Sequence, residues 1–244
     1  MPANDDGPFA LLIRKLERLA KLNDDDRNAI SALPFNIAEA AAGTHLVREG
    51  DRPTDCCLLL KGYACRYKLT SQGGRQIVSF HIPGDMLDLQ HLMLTRADHS
   101  VSTITTATVA WVSAASLRHV LETRPAVNEA LWRDALIDAS IFREWVLNVG
   151  RRDGKSRVAH MLCEFAARRE AVGLGTIERF ELPMSQDEIA DATGMTPIHV
   201  NRMLQALAED GVIARNKRHV HILDWEGLKH AADFDPAYLH AAAA

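Results

Sequence analysis

Residues 185–213 read SQDEIADATGMTPIHVNRMLQALAEDGVI. Ser185 and Glu188 have the S-x-x-E spacing of a capping box, in which each side chain satisfies the other residue's free backbone N–H. A short helix is therefore predicted to open there. Gly194 falls where a tight turn between two helices needs a positive φ. Thr196 suits an N-cap, and Pro197 suits the first helical position, where its missing N–H costs nothing. Gly211 stands one residue past the second helix, the usual place of a left-handed stop. Ile189, Ala190, Val200, Met203, Leu204 and Leu207 supply apolar faces that lock the two helices at an angle. The alternative is an ordinary helical hairpin with solvated polar residues. Cap, glycine turn and first-position proline together favour a helix-turn-helix, whose second helix can enter a major groove.

The same spacing turns Ile198, His199, Arg202 and Gln205 outward, with Asn201 on the flank. A guanidinium matches guanine O6 and N7, and an amide matches adenine N6 and N7. Arg202 is thus predicted to read guanine, and Asn201 or Gln205 adenine. Thr196 and the helix start suit a phosphate. The following ARNKRHVHI reads as a two-stranded wing with Asn216, Lys217 and Arg218 at its tip. The candidate DNA contacts are Ser185, Thr196, Pro197, Ile198, His199, Asn201, Arg202, Gln205, Lys217 and Arg218.

Upstream, Asp153 is placed to cap a helix through SRVAHMLCEFAARR. Before it, no Pro or Gly interrupts residues 126–149. A helix of about 24 residues is about 36 Å long. Val127, Leu131, Ala135, Ile141, Trp145 and Val149 form an apolar stripe along it. The preceding β-region has its own core, so the stripe reads as a dimer seam. From about 36 to 113, short β-branched runs alternate with turn signals such as Lys61-Gly62 and Pro83-Gly84-Asp85. That regularity predicts an antiparallel sandwich or jelly roll. Residues 9–22 form a first helix, and Asp24 is read as capping a second that ends near Leu33. The organisation expected is a sensor domain over 1–124, a dimerisation helix over 125–150, a DNA-binding domain over 153–224 and a C-terminal tail over 225–244. The class is α+β.

Composition narrows the options. Net charge is −4, distributed as −2 up to residue 149, +1 over 150–223 and −3 beyond. The segment that would touch DNA is the least negative. No apolar run is long enough to span a bilayer, and the acidic start MPANDDGPF is unlike a secretory signal, so a cytoplasmic protein without a membrane partner is expected. The four cysteines, Cys56, Cys57, Cys65 and Cys163, lack a C-x-x-C and read as reduced, buried thiols.

The helix-turn-helix, together with REGD (48–51), LLLKG (58–62), GGRQI (73–77) and PGD (83–85), resembles the Crp–Fnr family of transcription regulators over nearly the whole chain. The resemblance implies a cyclic-nucleotide-type β-roll, a long dimerisation helix and a winged helix-turn-helix. It also implies a homodimer on a roughly palindromic operator, with recognition helices about 34 Å apart. Activation would add contacts to RNA polymerase.

Departures from the family pattern matter as much. Its best-known members carry Arg-Glu or Val-Glu where this chain has Pro197-Ile198. The lost glutamate would accept from a cytosine amino group, so an operator unlike TGTGA or TTGAT is predicted. Members that bind cyclic AMP hold the ribose with a glutamate where Leu89 follows Asp88. They clamp the phosphate with an arginine where His99 precedes Ser100. Their adenine-contacting Thr-Ser falls at Phe142-Arg143. Leucine accepts no hydrogen bond, and neutral imidazole lacks the guanidinium fork. Cyclic AMP is therefore disfavoured. So is the family's iron–sulfur cluster, because no cysteine precedes Cys56.

The candidate effector-pocket residues are His81, Asp88, Leu89, His91, His99, Ser100, Phe142 and Arg143, with Asp85 and Asp98 nearby. Three readings compete: residues that finish turns, a site for another small molecule, or a metal or haem site. Spacing gives the last no ligand motif, and no cofactor or metal is assigned. A cupin-type metal enzyme would need an HxH on the roll. The only HxH, His219-Val-His221, lies in the wing, so the chain is read as non-enzymatic. A dimeric module with degenerate DNA binding is the remaining alternative.

Overall fold

The structure, a computed structural model, describes residues 7–216 and 219–240. Two compact units are present. One comprises residues up to Tyr67 with Phe80–Asp138; the other comprises Lys68–Ser79 with residues from Ala139 onward.

The first unit opens with α1 (Ala10–Glu17) and α2 (Asp24–Ser31). The cap of α2 is Asn23, one residue before the expected Asp24: Asn23 Oδ1 accepts from Asp26 N, and Asp26 returns the bond to Asn23 N. The strands follow as β1 (Phe35–Ala40), β2 (His45–Val47), β3 (Asp55–Lys61), β4 (Ala64–Leu69), β5 (Arg75–His81), β6 (Ser100–Thr103) and β7 (Ala107–Ser113), of which the end of β4 and most of β5 fall in the second unit. They form two sheets, ordered β1-β7-β3 and β2-β6-β4-β5. The described pairings β1–β7, β3–β7, β2–β6 and β4–β6 are antiparallel. Between the sheets lie Val47, Cys57, Leu59, Leu87, Val101 and Val109. Val47, Cys57, Leu59, Val101 and Val109 come from strands, where side chains alternate between faces, and Leu87 from the segment after the Pro-Gly-Asp turn.

The outer face of the β1-β7-β3 sheet is covered by helix. Phe9, Leu16 and Ile30 pack with Leu58 and Val112, and with Leu117 of α3 (Ala114–Thr123). Val127 and Leu131, from the start of α4 (Pro125–Arg151), complete that core. Gly84, with φ of +96°, turns the Pro-Gly-Asp loop where a Cβ would press on Leu11 at 3.1 Å.

The second unit holds the rest of α4, then α5 (Gly154–Ala171), β8 (Arg179–Glu181), α6 (Gln186–Thr193), α7 (Pro197–Glu209), β9 (Ile213–Asn216), β10 (His219–Ile222) and α8 (Trp225–Ala232). Asp153 caps α5 by accepting from Ser156 N at 3.0 Å. The wing has three strands, ordered β8-β10-β9, where two were expected.

Residues 225–240 are not a free tail. Asp224 caps α8, which packs on α5 and buries Leu228 and Ala232. A 3-10 helix, Pro236–Leu239, then stacks Tyr238 on the His160 ring, 5.8 Å between centroids. Tyr238 Oη donates to Glu164 at 2.8 Å, and Trp145 Nε1 donates to the same carboxylate at 3.0 Å.

Candidate nucleic-acid interface and sensor interior

The helix-turn-helix is built by local bonds. Ser185 N donates to Glu188 Oε2 at 2.7 Å, and Glu188 N donates to Ser185 Oγ at 3.2 Å. Gly194 ends α6 in the left-handed region, φ +67°. Thr196 Oγ1 accepts from His199 N at 3.3 Å, and Pro197 occupies the first helical position of α7. Val200, Leu204 and Leu207 are buried by that start. Ile198, His199, Arg202 and Gln205 form the opposite, exposed face. Ile198 is 77% exposed.

Asn201 is half-buried, and its Oδ1 accepts from Gln186 Nε2 at 3.1 Å. A carboxamide held this way has one end engaged, whereas Gln205 is exposed on the outer face. Ser185 Oγ is likewise engaged as the cap. The expected contacts Lys217 and Arg218 lie outside the described residues.

Helix α4 has two apolar faces, and the predicted seam is the inner one. Val127, Leu131, Ile141 and Trp145 are buried within the chain, and Val149 is half-buried with Cγ1 3.4 Å from where a Cβ on Gly194 would stand. Of the predicted stripe only Ala135 is exposed. The exposed large residues are Trp132, Leu136, Phe142, Val146 and Leu147. Taken with half-buried Ala139, positions 132, 136, 139, 142 and 146 advance in steps of three and four, which keeps them on one face. Both stripes have helical spacing, so periodicity alone had no means to choose between them.

Inside the roll, each histidine read as a pocket residue has an acid beside it. His81 Nδ1 lies 3.4 Å from Asp85, His91 Nδ1 3.1 Å from Asp88, and His99 Nδ1 2.7 Å from Asp98. Asp88 is fully buried and also accepts from Cys57 N at 2.8 Å. Ser100 Oγ accepts from Glu49 N at 3.0 Å. Leu89 begins a 3-10 helix and packs against the apolar core. Burial lowers the His81 pKa and pushes His99 down to about 4, with the Arg66 guanidinium adding to both effects. Both imidazoles are thus neutral at neutral pH. Phe142 and Arg143 belong to the other unit and are exposed on α4.

Two cations in this interior were not singled out from the sequence. Lys15 of α1 bridges Asp85 and Asp134, each at 2.8 Å. Burial alone would lower its pKa, but the two carboxylates outweigh burial and hold it above the usual lysine value. Arg66 of β4 reaches Asp138 at 2.7 Å and donates to Leu87 O at 3.0 Å. Nothing in the strand pattern marks Arg66 except a charge among buried neighbours. His81 Nε2, His91 Nε2 and Arg66 Nε are buried without a hydrogen-bond partner.

Among the described residues no group of three or more His, Cys, Asp or Glu side chains is arranged to hold a metal ion. All four cysteines are buried, and none forms a disulfide. Burial pushes the Cys56 thiol up to about 12, and raises those of Cys57 and Cys163 as well. No described helix is long and apolar enough to cross a membrane.

Comparison with known proteins supplies independent findings. Residues 38–124 match the cyclic nucleotide-binding domain, and residues 156–231 match the Crp-like helix-turn-helix domain. The nitrogen fixation regulation protein FixK of Bradyrhizobium diazoefficiens is 31% identical over 184 residues, covering 75% of this chain and 76% of that protein. FixK of Rhizobium meliloti is 30% identical over 199 residues, covering 80% and 87%. The transcriptional activator protein FnrL of Cereibacter sphaeroides is 28% identical over 198 residues, covering 80% and 79%. The solved structure of FixK2 from Bradyrhizobium japonicum superposes with a TM-score of 0.75 at 25% identity, over 82% of this chain and 98% of that one.

Proposed function

Because the chain belongs to the Crp–Fnr family of DNA-binding transcription regulators, we propose that it acts in the cytoplasm as a homodimer whose paired α7 helices read a roughly palindromic operator. The observation that carries this reading is the outer face of α7, where Ile198, His199, Arg202 and Gln205 stand exposed on a helix whose start is fixed by Thr196 and Pro197. Thr196 and Ser185 open the two helices toward phosphate. Arg202 pairs with guanine, and Gln205 is the amide positioned for adenine. Ile198 replaces a glutamate common in the family, so the operator departs from TGTGA and TTGAT.

The dimer is formed by the outer stripe of α4. Large apolar side chains at heptad-like intervals on an exposed helix face are disfavoured in water and pair readily with a second copy. A two-fold axis along that seam matches the two-fold symmetry of a palindromic site. The interior of the roll supports a regulator whose effector is not cyclic AMP. Where a clamping arginine and a ribose-binding glutamate would stand, His99 bonds to Asp98, and Leu89 is packed. Activation proceeds through contacts to RNA polymerase, as befits a relative of a transcriptional activator. The chain works as a regulator rather than an enzyme.

The test is selection of bound duplexes from a random pool, followed by titration of the recovered sequence at several salt concentrations. Recovery of a two-fold related site, with affinity falling steeply as salt rises, is expected. Recovery of TGTGA or TTGAT half-sites would overturn the altered specificity. Sedimentation should give a dimer for the native chain and a monomer for Val146→Glu. A native monomer would overturn the seam.

A further inference from the structure

The outer face of α7 contains one residue that has no hydrogen bond to offer. Ile198 is 77% exposed, in the first turn of the helix, among His199, Arg202 and Gln205. Every other large aliphatic side chain of α7 is buried or half-buried. An isoleucine left in water forgoes the burial that stabilises its counterparts on the inner face. Its place in the first turn is where recognition helices meet base edges.

We infer that Ile198 reads the C5-methyl of a thymine in the major groove. This rests on the DNA-binding reading above and adds to it the base that Ile198 selects. Among the groups that base pairs present in that groove, the thymine methyl is the apolar one; the rest are hydrogen-bond donors and acceptors. Isoleucine over a cytosine amino group or a guanine O6 would strip water from a polar atom and return nothing. The contact therefore selects by attraction to the methyl and by rejection of its alternatives. Arg202 follows four residues later on the same face, about 6 Å along the helix at 1.5 Å per residue. Base steps are spaced about 3.4 Å along a strand. The thymine accordingly lies within about two base pairs of the guanine that Arg202 pairs with.

The experiment takes the duplex recovered from a random pool and replaces each thymine in turn by uracil, which removes only the methyl. One thymine in each half-site, within two base pairs of a guanine, should lose about fourfold in affinity on this change. That loss should vanish in Ile198→Ala and persist in Ile198→Val. Melting of both variants should match the native chain closely, because the side chain is mostly exposed. Cytosine at that position should bind worse still, and 5-methylcytosine should regain part of the loss. A native chain indifferent to uracil at every position overturns the inference, as does a uracil penalty that survives in Ile198→Ala. A pool that enriches no sequence at all overturns the DNA-binding reading itself.

Discussion

The outer face of α7 and the interior of the β-roll draw on the same residue types in opposite circumstances. Both carry histidine, arginine and carboxamide side chains. In the roll, Arg66 is held by Asp138 and Leu87 O, and His99 by Asp98 and Gln90. On α7, Arg202, His199 and Gln205 point into solvent. The difference follows from the cost of burying charge. An ion taken out of water costs several kcal/mol unless it is partnered, so charges inside the roll persist as pairs. Exposed groups carry no such debt, and their hydrogen bonds remain available to a ligand. A cluster of histidines and aspartates is thus not by itself a binding site, whereas a plain stripe of four exposed residues can be one.

If the comparison holds, variants in the roll should change stability without changing base discrimination, and variants on α7 should do the reverse. The largest effect is expected for Lys15→Met, which leaves Asp85 and Asp134 facing each other without their cation. Urea unfolding should show a loss of about 3–5 kcal/mol, while the folded fraction keeps its preference among duplexes. A change in base preference would break the comparison.

Acid provides the next test. Burial holds His99 at about 4, where it faces Asp98, Arg66 and His81. Burial, with Arg152 adding to it, holds His160 at about 3, between Glu144 and Tyr238. An unfolded histidine titrates near 6.5. Between about 6.5 and these depressed values the unfolded chain binds more protons than the folded one. The stabilisation is therefore fully present above about pH 6.5 and is lost as pH falls towards 4 and 3. Each group contributes a slope of up to about 1.4 kcal/mol per pH unit. Urea titrations at pH 7, 6 and 5 should trace this fall, and His160→Gln should flatten it.

Arg202→Ala comes third. It should weaken binding to the recovered duplex by about 1–3 kcal/mol and relax selection at one guanine, leaving the melting temperature unchanged. A melting shift comparable to that of Lys15→Met would mean that the face is structural after all. The smallest effect is expected for Ser185→Ala, which removes the cap of α6 for about 1 kcal/mol of stability. It acts on the scaffold behind the reading face, so base preference should survive.

The parts of the molecule legible in advance are those whose causes lie within a few residues. Ser185 with Glu188, Gly194, and Thr196 with Pro197 are each explained by neighbours no more than four positions away. The strands announced themselves in the same way, through short β-branched runs set between turn signals. The stripe on α4 read as a seam is buried within the chain, because two apolar stripes share one helix and only the packing partners tell them apart. Asn201 offers an adenine-reading amide in sequence, but Gln186, fifteen positions earlier, engages it. Residues 225–240 looked like an acidic tail because of their negative charge, yet Leu228, Ala232 and Phe234 fasten them once α5 supplies a surface.

By itself, the sequence determined the β-region between flanking helices and the helix-turn-helix with its outward residues. These depend on local bonds and on residue chemistry that holds in any surroundings. Only the tertiary structure decided which face of α4 is spent on the core and that Lys15 joins Asp85 to Asp134 across 70 and 119 positions. It also decided that the histidines of the roll are already paired. Those outcomes are set by which distant groups share a water-free space, and spacing along the chain does not encode them.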